Sequence, residues 1–199
     1  MTSPTWPPTL PARRPPEPPT GGAEPGITIG WHTGDRAALL PLFELAEDSP
    51  SELDHYLDLG RILLASSDGE PVGHLQLVDT DRAGHTELKN MAVRTEMQGL
   101  GIGRRLVQSA RAVLAAEGVT TLTVATATAD IGNLRFYQRQ GFRMCRIERD
   151  VFTEASGYPR HSDVDGIPLR DRVWLDLPLH RPQPGVEPAT TTTTTEIAP

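Results

Sequence analysis

The chain has 199 residues, enough for one domain with a substantial core and short for two. Its 26 acidic against 19 basic residues give a net charge of −7 with no basic tract of five or more, which disfavours nucleic acid as the main partner. One cysteine excludes an internal disulfide, the six histidines show no HxxxH or HExxH spacing, and no run of 18 apolar residues occurs, so neither a metal site nor a membrane span is expected.

Residues 1–26 hold nine of the 19 prolines and read as an extended solvated arm, without the apolar h-region of a secretory signal. The tail, 181–199, is rich in proline and threonine and equally unsuited to packing. The expected folded body is therefore 27–180, a cytoplasmic domain. Within it, 27–32 has strand composition. Residues 35–48 read as a helix with Asp35 near its N-cap, Leu39, Leu42 and Leu45 on one stripe, and Pro41 bending it. A second short helix spans 49–60, and strands follow at 61–66 and 71–79 around Asp68-Gly69, a hairpin signal. The next strand, 86–93, alternates Leu88, Asn90 and Ala92 on one face with Glu87, Lys89, Met91 and Val93 on the other.

After a glycine-rich turn, Leu106, Ala110, Val113, Leu114 and Glu117 mark a helix ended by Gly118. Residues 119–128 read as a strand buried on both sides, 130–141 as a helix capped by Asp130, and 142–152 and 171–179 as two final strands, whose edge is a candidate homodimer contact. Cys145 is expected in the core. The order β-α-α-β-β-β-α-β-α-β-β predicts an α/β (α+β) domain, a mixed sheet flanked by helices.

The turn itself, "QGLGIGRR" (98–105), carries the chemistry. A strand passing through glycines into a helix directs free backbone N–H groups, and the positive end of the helix, at one point suited to a pyrophosphate. A P-loop needs GK[ST], and here Arg104 and Arg105 follow Gly103. A dinucleotide fingerprint needs a third glycine where Arg104 stands. What remains is Q-x-x-G-x-G: Gln98, Gly101 and Gly103.

With "ELKNMAV" (87–93) before it and "NLRFYQRQGF" (133–142) after the next strand, the body resembles the GNAT superfamily of N-acetyltransferases. The resemblance implies a GNAT-like mixed, mostly antiparallel sheet of about seven strands, about four helices and splayed central strands. It implies acetyl-CoA as cosubstrate, with its pyrophosphate on the backbone of Gln98, Gly99, Leu100, Gly101, Ile102, Gly103 and Arg104. It implies a pantetheine arm paired with Met91, Ala92 and Val93, and contacted by Asn133 and Phe136. Glu87 matches the family's general base, acting through water, and Tyr137 the acid that protonates the leaving thiolate. Each has a plainer alternative: an edge glutamate for Glu87, packing for Tyr137, a helix cap for Asn133, a solvated helix face for Arg104 and Arg105.

The resemblance leaves the amine acceptor open. It implies an acceptor pocket between residues 33–60 and 153–171, segments carrying Glu47, Asp48, Glu52, Asp54, Glu154, Asp163 and Asp165. These carboxylates either recruit a cationic amine or are solvated loop charge; Tyr158 and His161 are candidate specificity residues. A small-molecule amine is the expected acceptor. A protein amine, or a non-catalytic acyl-CoA-binding module, are the alternatives.

Overall fold

The structure, a computed structural model, describes residues 26–179; the expected N-terminal arm, apart from Gly26, and the C-terminal tail lie outside them. Four strands form an antiparallel run: β1 (Ile27–Trp31), β2 (Arg61–Ser67), β3 (Glu70–Asp79) and β4 (His85–Val93). The two-residue loop between β2 and β3 is Asp68-Gly69, both at positive φ (50° and 87°), as a tight hairpin turn requires. Helix α3 (Ile102–Ala116) then crosses over to β5 (Thr121–Ala127), which runs parallel to β4. After α4 (Ile131–Arg139) come β6 (Arg143–Glu148), a two-residue hairpin of β7 (Asp163–Val164) and β8 (Ile167–Pro168), and β9 (Arg172–Pro178), which inserts between β5 and β6.

The first helical region is less regular than its leucine spacing predicts. Arg36–Leu39 is a 3-10 turn, with the Asp35 side chain accepting from the Ala37 amide, and α1 (Leu40–Phe43) is a single turn with Pro41 in its opening. Leu45 therefore falls outside the helix and is exposed, and Phe43 takes the buried place. Helix α2 (Pro50–Tyr56) is capped by the Ser49 hydroxyl.

Alternation along β2 divides the core. Leu63 joins the main cluster, where α3 buries Ile102, Leu106, Val107, Ala110 and Leu114 against the sheet; Ile62 joins Leu39, Leu42, Phe43, Leu53 and Tyr56 beneath α1 and α2. Glu117, expected on the buried stripe of α3, is exposed and pairs with Arg61. In β5 only Leu122 and Val124 are buried, so the strand is half-covered and not enclosed on both sides. Cys145 is also a correction: β6 is an outer strand that ends at residue 148, and Cys145 on it is exposed, with its neighbours Met144 and Ile147.

The sheet carries two irregularities that matter for function. Gln76 pairs with Asn90 while Leu77 pairs with Leu88, which leaves Lys89 as an extra residue in β4. The extra residue shifts the side-chain phase. Leu88 packs in the main core, whereas Asn90 bonds to Tyr56 on the opposite face, so these two do not share a face as simple alternation predicts. Glu87, Lys89 and Asn90 all serve the α1–α2 side, and Met91 and Val93 pack against the main core. Secondly, β4 and β5 pair only over His85–Leu88 and Thr121–Val124; beyond the extra residue they diverge, and Met91 to Val93 keep a strand partner on the β3 side alone.

Candidate active site

Divergence of β4 and β5 opens a cleft of about 850 Å3 between β4, the loop 95–104 and α4. Met91, Ala92, Val93, Gln98, Gly99, Gly101, Ile102, Gly103, Arg104, Asn133 and Phe136 all line it, so nearly every residue assigned to the cosubstrate meets here. Leu100 is the exception, exposed and outside the lining. Gly101 is the N-cap of α3 in the left-handed region (φ 78°, ψ 6°), a conformation that any Cβ strains. No side chain caps that helix end. Among the described residues, the amides of Gly99 to Arg104 have no backbone acceptor, whereas the Gln98 amide donates to the Thr95 carbonyl at 3.2 Å. Gln98 thus shapes the turn, its side chain also donating to the Val93 carbonyl at 3.1 Å, and its amide is not free to hold a phosphate. At Gly103 an added Cβ would sit 3.3 Å from the Phe136 ring, so the glycine lets α4 close on the loop.

These features fit a nucleotide-tailed thioester. Free amides at an uncapped 15-residue helix suit a diphosphate, and the unpaired side of β4 suits an extended amide-containing arm. Arg135 and Arg139, which pattern reading passed over, line the same cleft one helical turn apart beside Arg104. Their i, i+4 spacing in "RFYQR" is the signal that finds them.

A smaller cavity of about 200 Å3 adjoins the cleft and shares Ala46, Met91, Asp130 and Asn133 with it. Glu87 and Tyr137 both line this cavity. Glu87 is half-buried, and the Lys89 ammonium lies 3.4 Å from its carboxylate and 5.0 Å above the Tyr56 ring. Tyr137 is buried, with edge contacts to Phe136 and Phe142; burial, helped by the Asp130 carboxylate, pushes its phenol well above the ordinary value. Asn133 is tied locally: its amide and its Nδ2 each donate to the carboxylate of Asp130, which is the cap of α4, at 2.7 Å.

Glu47 organises the wall together with Ser49, Tyr56 and Asn90, three residues outside the initial assignment. Glu47 accepts from the Tyr158 hydroxyl at 2.7 Å, the Tyr56 hydroxyl at 3.2 Å and the Ser49 amide at 3.0 Å, while Asn90 Nδ2 donates to the Tyr56 oxygen at 2.9 Å. Tyr158, raised as a specificity candidate, is therefore part of the cavity; Asp48 and Glu52 line it too. His161, Glu154 and Asp163 instead line a separate surface cleft formed by 150–170, and Asp54 and Asp165 line neither. A buried Asn in a strand otherwise filled with Leu and Ala is the signal for Asn90.

Comparison with known proteins agrees with this geometry. Residues 31–142 match the model of the acetyltransferase (GNAT) family. The chain is 34% identical over 157 residues to the uncharacterized N-acetyltransferase YvbK of Bacillus subtilis, covering 76% of this chain and 96% of that one. Among solved structures, a Bacillus subtilis acetyltransferase in complex with CoA superposes with a TM-score of 0.69 at 30% identity, over 76% of this chain and 98% of that one. A GNAT family acetyltransferase from Elizabethkingia anophelis with acetyl-CoA bound gives 0.70 at 31% identity, over 77% and 98%. The chain belongs to the GNAT family of acetyltransferases, and acetyl-CoA is its acyl donor.

Proposed function

We propose that the protein transfers the acetyl group to the primary amine of a small molecule by direct attack, with Glu87 as base and Tyr137 as acid. The observation that carries this reading is the junction of the two cavities at Met91 and Asn133, with both candidate catalytic side chains on the acceptor side. The diphosphate is held by the amides of Gly99 to Arg104 and the arm by Met91, Ala92 and Val93. Asn133 and Phe136 flank the arm. Acetyl-CoA supplies an activated acyl carbon.

An aliphatic amine with a pKa near 10.4 arrives protonated at neutral pH, so a proton must leave before the nitrogen can attack. Glu87 takes it, through water. The C–N bond forms as the C–S bond breaks, and the backbone N–H near Val93 donates to the carbonyl oxygen as negative charge develops there. Tyr137, its hydroxyl kept protonated across the neutral range by burial, gives its proton to the departing sulfur, and the second proton shed by the nitrogen as the amide forms restores the phenol.

A small acceptor is supported by the roof of the cavity. Tyr158 bonds to Glu47 and Ser49 Oγ to the Ser156 carbonyl (3.3 Å), so the segment 150–171 is fastened over the α1–α2 side and leaves about 200 Å3. A protein amine needs an open groove. The acetyl-CoA requirement argues for a cytoplasmic reaction. Incubation with acetyl-CoA and a panel of amines, aminoglycosides and peptides, following free thiol, tests the assignment: thiol release with small amines is expected, and release with peptides alone refutes it.

A further inference from the structure

Resting on the reading of the smaller cavity as the acceptor site, the geometry points to Glu47 as the specificity residue for a second positive charge on the acceptor, so that the preferred substrates are diamines or amines bearing another cationic group. The two glutamates of the wall are differently provided for. Glu87 already has a cation beside it, the Lys89 ammonium at 3.4 Å. Glu47 is half-buried, and among the described residues no ion pair reaches it. A half-buried carboxylate with no cation beside it gains from one more than a fully solvated carboxylate does.

Its orientation is fixed by design of the surroundings. Asn90, 4% exposed, donates to the Tyr56 oxygen, which leaves the Tyr56 proton free to go to Glu47 Oε2; Tyr158, from a segment 111 residues away, donates to Oε1. Burial, and the Glu47 carboxylate beside them, hold both phenols well above their ordinary value, so they remain donors throughout the working pH range. With Ser49 these three donors leave lone-pair capacity on the carboxylate. Tyr56 and Tyr158 bond to it, Phe152 and Trp174 line the same cavity with Arg172 and Arg146 over their rings, and the Tyr158 ring is left without a cation among the described residues. The chain demonstrates the preference itself by seating Lys89 Nζ 5.0 Å over the Tyr56 ring. Among the described residues, two further polar atoms of the lining, Asn90 Oδ1 and Trp174 Nε1, are buried without a hydrogen-bond partner.

A cation at Glu47 cannot be the nitrogen under attack, which must be neutral and close to Glu87. The acceptor therefore carries two nitrogens with separate roles. The test compares α,ω-diamines of two to six carbons with n-alkylamines of matching length, measuring kcat/KM by thiol release in the native protein and in Glu47→Gln. The native enzyme is expected to favour a diamine at least tenfold, well above the twofold expected from having two equivalent amines. In Glu47→Gln that ratio should collapse to about two, through KM and not kcat, and Tyr158→Phe should give an intermediate ratio. A merely structural role lowers both substrates alike and leaves the ratio standing, which overturns the inference, as does a native ratio near two. Calorimetric titration of the CoA-loaded protein with the same amines separates the failures: turnover of monoamines with no diamine preference removes only the role of Glu47, whereas no amine turned over or bound removes the small-amine reading as well.

Discussion

Glu87 and Tyr137 line one cavity, where we propose that they serve as base and acid. The hydroxyl of Tyr137 is kept in its protonated form by burial, so loss of that one oxygen should remove the acid while leaving the ring's packing against Phe136 and Phe142 intact. Tyr137→Phe is expected to lower kcat at least tenfold, about 1.4 kcal/mol of transition-state stabilisation, with acetyl-CoA affinity unchanged by calorimetry. His74 offers a second test at this scale. It is fully buried against Phe43, and burial, only partly offset by the neighbouring Asn90 side chain, pulls its pKa from 6.5 down to about 4. The unfolded chain therefore takes up a proton near pH 6.5 that the folded chain refuses until about pH 4. Stability from this group is complete above pH 6.5 and is lost as the pH falls through that window, on the order of 3 kcal/mol in all. Urea unfolding at pH 7.5, 5.5 and 4.5 should show the loss, and His74→Gln should flatten it.

At the scale of elements, the uncapped start of α3 is the proposed seat of the diphosphate. Gly101→Leu forces a branched side chain into the left-handed region and into the cleft, and should abolish acetyl-CoA binding in calorimetry while the far-ultraviolet spectrum stays native. This loop was readable in the sequence because every part of it is local: glycines, a preceding strand and a following helix lie within 20 residues. The same holds for the Asp68-Gly69 hairpin and for Asp130 as a cap. Strand β4 was read in the correct place but with the faces of Asn90, Met91 and Val93 reversed, because its extra residue at Lys89 is defined by pairing to β3 and leaves no mark in composition. Glu47 was visible as one of seven carboxylates that either recruit a cationic amine or stay solvated; what singles it out is Tyr158, a contact across 111 residues. Cys145 fell on an outer strand for the same reason, since strand order across the sheet is a long-range property.

Across the whole molecule, the seven strands form two blocks, β1 to β4 and β5, β9, β6, which meet in the sheet along four residue pairs. The larger cleft lies where those pairs stop. A ligand present at one hundred times its Kd stabilises the folded state by about 2.7 kcal/mol, which at roughly 2–4 °C per kcal/mol for a domain of this size raises Tm by several degrees. Differential scanning calorimetry with acetyl-CoA should show that rise, and Gly101→Leu should lack it. The short seam also governs how a catalytic cycle must close. On the proposed reading, main-chain pairing and diphosphate contacts are common to the thioester and to the deacetylated carrier, so the spent carrier should splint the two blocks almost as well as the charged one. Free CoA is then expected to inhibit competitively against acetyl-CoA, which product-inhibition kinetics check.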